Sequence, residues 1–134
     1  MTASTRIPLA AITRAGAAQW LPIGTVFTTE DGDWWPLTPE RDEPPEADWS
    51  LDTTDPLVQT AACVLLLRLR GRVPKGMTRA FAGDGALVVA DNDGIDAWSA
   101  YDVLDLATCT TLAEALAAVV MWELERAGEV RHAE

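Results

Sequence analysis

The sequence predicts an α+β domain in which largely antiparallel β-hairpins form a small sheet packed against two helices, at about residues 56–70 and 112–127. Three observations carry this reading. Pairs of β-prone runs flank glycine-containing turns at 25–38 and 86–98. Helix-start signals stand at Asp55-Pro56 and at Thr111-Leu-Ala-Glu114. Their order along the chain is strands, helix, strands, helix, and a length of 134 residues with 49% apolar content suffices for one core. A single domain over 1–134 is therefore expected, with no internal repeat or low-complexity tract.

Arg6 to Ile12 is apolar enough for a short strand, in which Pro8 suits an edge or a start. Thr25 to Thr29 and Trp34 to Thr38 are β-prone runs around a turn containing Gly32, which makes a hairpin. From Pro39 to Asp55 the chain is rich in carboxylates and carries Pro44 and Pro45, so an exposed acidic connection is expected at about 39–55. The first long helix then runs from Pro56 to Arg70, with Gly71 as its stop. Leu57, Ala61, Leu65 and Leu69 form one stripe, and further apolar residues spread around the helix, which marks it as central to the core. A buried strand over Val64 to Leu69 is the alternative for the same run.

Met77 to Ala82 and Ala86 to Ala90 read as strands, and Asp91-Asn-Asp-Gly94 turns the chain into Ile95 to Trp98. Ser99 to Leu106 fits strand or helix equally. The last helix starts at the Thr111/Glu114 capping box and is expected to end at Gly128. On its wheel Glu123 falls among Leu116, Val119 and Val120. A carboxylate there needs a cation, and the expected source is the cluster Arg68, Arg70, Arg72, Lys75 and Arg79, which could bind phosphates but in so acidic a chain is read as answering the protein's own carboxylates.

Ten basic residues against 21 acidic ones give a formal charge of −11, which repels nucleic acid and anionic membrane. A macromolecular partner is expected to be a basic protein surface, such as that of a nucleic-acid-binding complex, and self-association into a homo-oligomer is compatible with the composition. The opening MTASTRIPLAAITRAG lacks an early basic region followed by an apolar run, and Ala61 to Leu67 is too short to cross a bilayer. A cytoplasmic location is expected. Cys63, inside an apolar run, and Cys109, between threonines, read as free thiols.

Catalytic constellations are hard to assemble. The one histidine is His132, near the end of the sequence, so arrangements built on a fixed imidazole have no candidate. Gly83-Asp-Gly85 has Val88 at the third glycine position of a dinucleotide loop and precedes a strand, and so reads as a tight turn. Asp91-Asn-Asp-Gly94 would place Val89 and Ala100 at the outer ligand positions of a calcium loop, where neither offers a side-chain oxygen. Carboxylate pairs such as Asp31 with Asp33 and Asp102 with Asp105 arise readily in so acidic a chain. The expectation is a non-enzyme with no catalytic residues, no metal and no cofactor.

Trp98 and Trp122 fall in regular elements and read as core. Trp34, Trp35 and Trp49 fall in the segment from Glu30 to Asp55, which holds ten acids and one base, Arg41. Alternation sends Trp34 and Trp35 to opposite faces. The candidate partner-binding residues are Glu30, Asp31, Asp33, Trp35, Asp42, Glu43, Glu46, Asp48 and Trp49, with Trp49 as the anchor. A solvated acidic loop is the plain alternative.

Ile7-Pro-Leu-Ala-Ala-Ile12-Thr-Arg14 resembles the opening strand of ParB-like nuclease or partition domains. The resemblance covers less than a tenth of the chain, and the arginine-containing motifs that follow in such domains are absent, so it assigns neither family nor residue role. The function expected is that of a small acidic protein-binding module, in concrete form an inhibitor that mimics nucleic acid, of anti-restriction or anti-CRISPR type. The alternatives are a structural or assembly subunit and, behind it, a carboxylate hydrolase or a carbohydrate binder using the tryptophans.

Overall fold

Pro8 divides the first apolar run in two. In the computed structural model, which describes residues 4–42, 44 and 48–133, strand β1 (Arg6–Pro8) gives way at once to helix α1 (Leu9–Arg14). The expected strand to Ile12 is thus only half strand. Extended Pro8 (φ −62°, ψ 135°) caps a helix that buries Leu9 and Ile12.

The hairpin around Gly32 forms as expected, from β2 (Val26–Thr28) and β3 (Trp34–Pro36), and Gly32 takes the positive φ of 92° that its turn requires. The expected exposed connection, in contrast, contains a strand. β4 (Ser50–Asp52) lies between β1 and β2 in a four-stranded sheet of order β1-β4-β2-β3. Ile7 pairs with Leu51, and both are fully buried beside Phe27. Thr53 follows at full burial, its hydroxyl 2.8 Å from the carbonyl of Thr5 and 2.7 Å from that of Ala113. A three-residue strand with one large apolar side chain has no periodicity of its own. It exists because β1 pairs with it.

Helix α2 (Pro56–Leu69) is capped by the Asp55 carboxylate, which accepts the Leu57 amide at 2.9 Å. Helix α3 (Leu112–Ala133) opens with the capping box, Glu114 accepting from the amides of Thr110 and Thr111 and Thr111 Oγ1 accepting from the Glu114 amide. The Thr110 amide above all holds the Glu114 carboxyl below its ordinary range. Gly128 does not end α3 as expected. The helix runs on through it to Ala133, with the Arg14 side chain of α1 alongside at a distance that leaves room for a Cβ.

A second sheet is the meander β5 (Arg79–Gly83), β6 (Ala86–Asp91) and β7 (Gly94–Ser99), antiparallel throughout. The segment after it, open between strand and helix in sequence, is a 3-10 turn over Leu104–Thr108. The fold is thus α+β with two small antiparallel sheets. α2 and α3 pack on each other and on β5 and β6, and α3 also touches α1 and β1. One apolar cluster runs from Ile7, Phe27 and Leu51 through both helices to Leu87, Val89 and Trp98.

Arg72 forms ion pairs with Asp91 and Asp96, and Arg70 lies 3.9 Å from Asp96. Two of the five clustered cations therefore do answer the protein's own acids. Glu123, however, is not reached by any of them. It is 8% exposed and lies 3.5 Å from Arg126, one turn along its own helix, because Arg70 and Arg72 are taken by the β6–β7 hairpin.

Asp91 also accepts the amides of Lys75, Asp93 and Gly94, which clamps the loop after α2 onto the hairpin turn. The Lys75 amide leads the groups that hold its carboxyl below the usual range, joined by the Asp93 amide and the Arg72 guanidinium. A depressed folded-state value makes this contribution fully present above the unfolded value, about 3.9, and lost as pH falls through the folded one. Asp91→Asn should therefore lower the urea midpoint at pH 7 and narrow its difference from wild type at about pH 3. An equal difference at both values would contradict the clamp.

Candidate partner-binding surface

The β2–β3 hairpin sets the acidic surface. Its turn is closed by Thr29, whose amide donates to the Asp33 carbonyl at 3.0 Å and whose hydroxyl accepts the Asp33 amide at 3.2 Å. This closure leaves Glu30, Asp31 and Asp33 exposed at the tip. Asp42 and Asp48 are exposed as well, whereas Glu43 and Glu46 lie outside the described residues. None of the ion pairs among the described residues involves these carboxylates. Arg41, the one base of the segment, has its guanidinium on the carbonyl of Leu21. The negative charge of the tip is therefore not neutralised locally.

The three tryptophans divide differently from expectation. Trp49 is 8% exposed and belongs to the core, because the strand that follows it is an inner one. It cannot anchor a partner from there. Its ring meets Trp35 edge-on, with centroids 6.4 Å apart and planes at 70°. Trp35 pairs across the hairpin with Phe27, is half-buried, and donates its indole N–H to the Asp42 carbonyl at 3.3 Å. Trp34 points the other way and is 66% exposed on the outermost strand, directly after Asp33. Alternation showed that the two rings part company but not which one faces solvent. That was decided by β4, which gives Trp35 a partner in Trp49.

Other chemistry finds no support in the geometry. Burial pushes the Cys63 thiol up to about 11, and burial followed by the charges of Glu114 and Asp105 raises that of Cys109, so neither is poised as a thiolate. Asp31 and Asp33 stand in solvent on a hairpin tip, as do Asp102 and Asp105 in their turn, without an enclosing cleft. Among the described residues no group of three or more His, Cys, Asp or Glu could hold a metal ion, and no helix is long and apolar enough to cross a membrane.

Comparison with protein-family models, with curated proteins and with solved structures returns no match.

Proposed function

We propose that this chain is a non-enzymatic binding module that presents the β2–β3 hairpin to a basic surface of another protein. The observation that supports it is the tip itself, where Glu30, Asp31 and Asp33 are exposed, have no ion-pair partner among the described residues, and adjoin a 66% exposed Trp34. Trp34 takes the anchoring role, with Trp35 behind it, and Asp42 and Asp48 extend the charge. A surface that receives phosphates is built from Arg and Lys, so nucleic-acid-binding proteins are the partner class. An inhibitor of the anti-restriction or anti-CRISPR type acts by filling such a site with carboxylates.

Charge and ring make separable contributions. Rim carboxylates mainly speed encounter and give it salt dependence, whereas a desolvated aromatic slows dissociation. Glu30→Gln, Asp31→Asn and Asp33→Asn together are expected to lower the association rate about tenfold at low salt and flatten its salt dependence. Trp34→Ala is expected to raise the dissociation rate by on the order of 2 kcal/mol. Both are read by surface-immobilised capture from host lysate, eluted with a salt gradient, with folding checked by urea denaturation. Identical captured proteins with unaltered kinetics in both variants would remove the hairpin from the binding surface.

A further inference from the structure

The chain holds three Asp-Gly pairs, each at the turn of a hairpin: Asp31-Gly32 between β2 and β3, Asp84-Gly85 between β5 and β6, and Asp93-Gly94 between β6 and β7. Such a pair has a chemistry of its own. Glycine has no side chain to hinder approach and is free in its backbone angles, so its nitrogen can reach the aspartate Cγ and close a five-membered imide. The nitrogen must give up its proton to do so, and a hydrogen bond donated by that N–H opposes the step.

Two of the three glycines make such a bond. The Gly32 amide donates to the Thr29 carbonyl at 3.1 Å. The Gly94 amide donates to Oδ1 of Asp91 at 3.1 Å, and the carboxylate beside it further disfavours a nitrogen anion by like-charge repulsion. The same Oδ1 accepts the Asp93 amide at 3.0 Å, which guards Asn92, the chain's one asparagine, against the equivalent closure. Gly85 differs. Its N–H has no acceptor among the described residues, while its carbonyl accepts the Ala100 amide at 2.8 Å and so holds the peptide in place. Asp84 and Gly85 both have positive φ, 53° and 73°, the two-residue turn that leaves the second amide out of the ladder. Asp84 is exposed, and the turn borders a hollow of about 70 Å³ shared with Thr110, Thr111 and Leu112, large enough to bring water to it. Exposure alone would favour Gly32 and Gly94, since Gly85 is half-buried. Hydrogen bonding reverses that order.

We infer that Asp84-Gly85 is the site at which the folded chain converts aspartate to isoaspartate. The Gly85 nitrogen attacks Cγ of the Asp84 carboxyl in its acid form. The N–Cγ bond forms, the bond from Cγ to the hydroxyl breaks, and the hydroxyl leaves with the amide proton as water. A second water then opens the imide. Attack at Cγ restores aspartate, whereas attack at the main-chain carbonyl leaves the Gly85 nitrogen on Cγ and frees the α-carboxylate. Water is the only co-reactant, and the formal charge is unchanged. The main chain through residue 84 becomes longer by one carbon, for which a two-residue turn between the paired Gly83 and Ala86 has no place, so the modified hairpin opens at this end. This inference is independent of the function proposed above, because the pair lies on the other sheet from the β2–β3 tip.

The reference is the chain unfolded in guanidinium chloride, where none of these hydrogen bonds persists. Kept at neutral pH and physiological temperature, the folded chain is expected to form isoaspartate at 84–85 within a few-fold of the unfolded rate, and at 31–32 and 93–94 at about one tenth of it or less. The products are read by unfolding the aged chain, digesting it with an endoprotease that cuts before aspartate but not before isoaspartate, and finding the uncut junctions by mass spectrometry. Asp84→Asn closes the same ring faster, losing ammonia in place of water, and asparagine tolerates the positive φ. Its folded rate at residue 84 should again approach the unfolded one, with Asn92 at about one tenth or less. Conversion at 84–85 as strongly suppressed by folding as at the other two pairs, or no suppression at any of the three, overturns the inference.

Discussion

Trp98→Ala is expected to lower the unfolding free energy by about 3–5 kcal/mol, a large share of the roughly 5–15 kcal/mol available to a domain of this size. Trp98 is the largest of the fully buried side chains, at 1% exposure, and pairs across the meander with Leu87, itself fully buried. The guanidinium carbon of Arg70, at the end of α2, stands 4.3 Å from its ring centroid, so the ring also fixes where the helix ends over the sheet. Its indole N–H has no hydrogen-bond partner. Trp98→Phe therefore forfeits packing and part of the cation–π attraction but no hydrogen bond, and should cost well under half as much as the alanine. Urea denaturation followed by circular dichroism separates the two. Equal losses would mean that a single six-membered ring recovers none of the packing that the indole provides.

Leu116→Ala is the second large effect, about 2–5 kcal/mol. Leu116 is fully buried near the start of α3, the helix that touches α1, α2, β1, β5 and β6. A cavity there cannot close easily, because the elements that would have to move in are held apart by their own sheets. The expected readout is a single transition at a lower midpoint. A biphasic curve would mean that the two sheets are not joined through this helix into one cooperative unit.

Much of this architecture is written locally. Asp55-Pro56, Thr111 with Glu114, Gly32, and Asp91-Asn-Asp-Gly94 each place a cap or turn by contacts within a few residues, and α2, α3 and both hairpins follow from them. What was illegible depends on distant partners. β4 is defined by β1, with which it pairs across 42 to 46 residues of chain, and its presence draws Trp49 inward. Gly128 is no stop because it does not take the left-handed conformation of a C-cap and α3 runs through it to Ala133, and Glu123 is left to Arg126 because Asp91 and Asp96 claim the nearer-seeming arginines. For the candidate surface, the sequence placed Glu30, Asp31 and Asp33 correctly on a hairpin tip. It took Trp49 for the exposed ring of the segment, whereas Trp49 is buried and Trp34 is the ring in solvent, since the side on which Trp34 and Trp35 emerge is fixed by pairing with β4, which has no local signal.

The outermost position of β3 has one more consequence, concerning polymerisation. An open sheet edge is a template on which a foreign strand can grow. In β3 the residues hydrogen-bonded to β2 are those opposite Phe27 and the flanking Asp33 and Leu37, so Trp34 and Pro36 turn their backbone groups outward. Pro36 has no N–H to offer, which leaves the amide of Trp34 as the lone outward donor of the strand. The edge is thus blunted by covalent structure as well as by charge. Removing the carboxylates of Glu30, Asp31 and Asp33 strips the electrostatic guard but not this one, and the neutralised hairpin still lacks a ladder for another chain to climb.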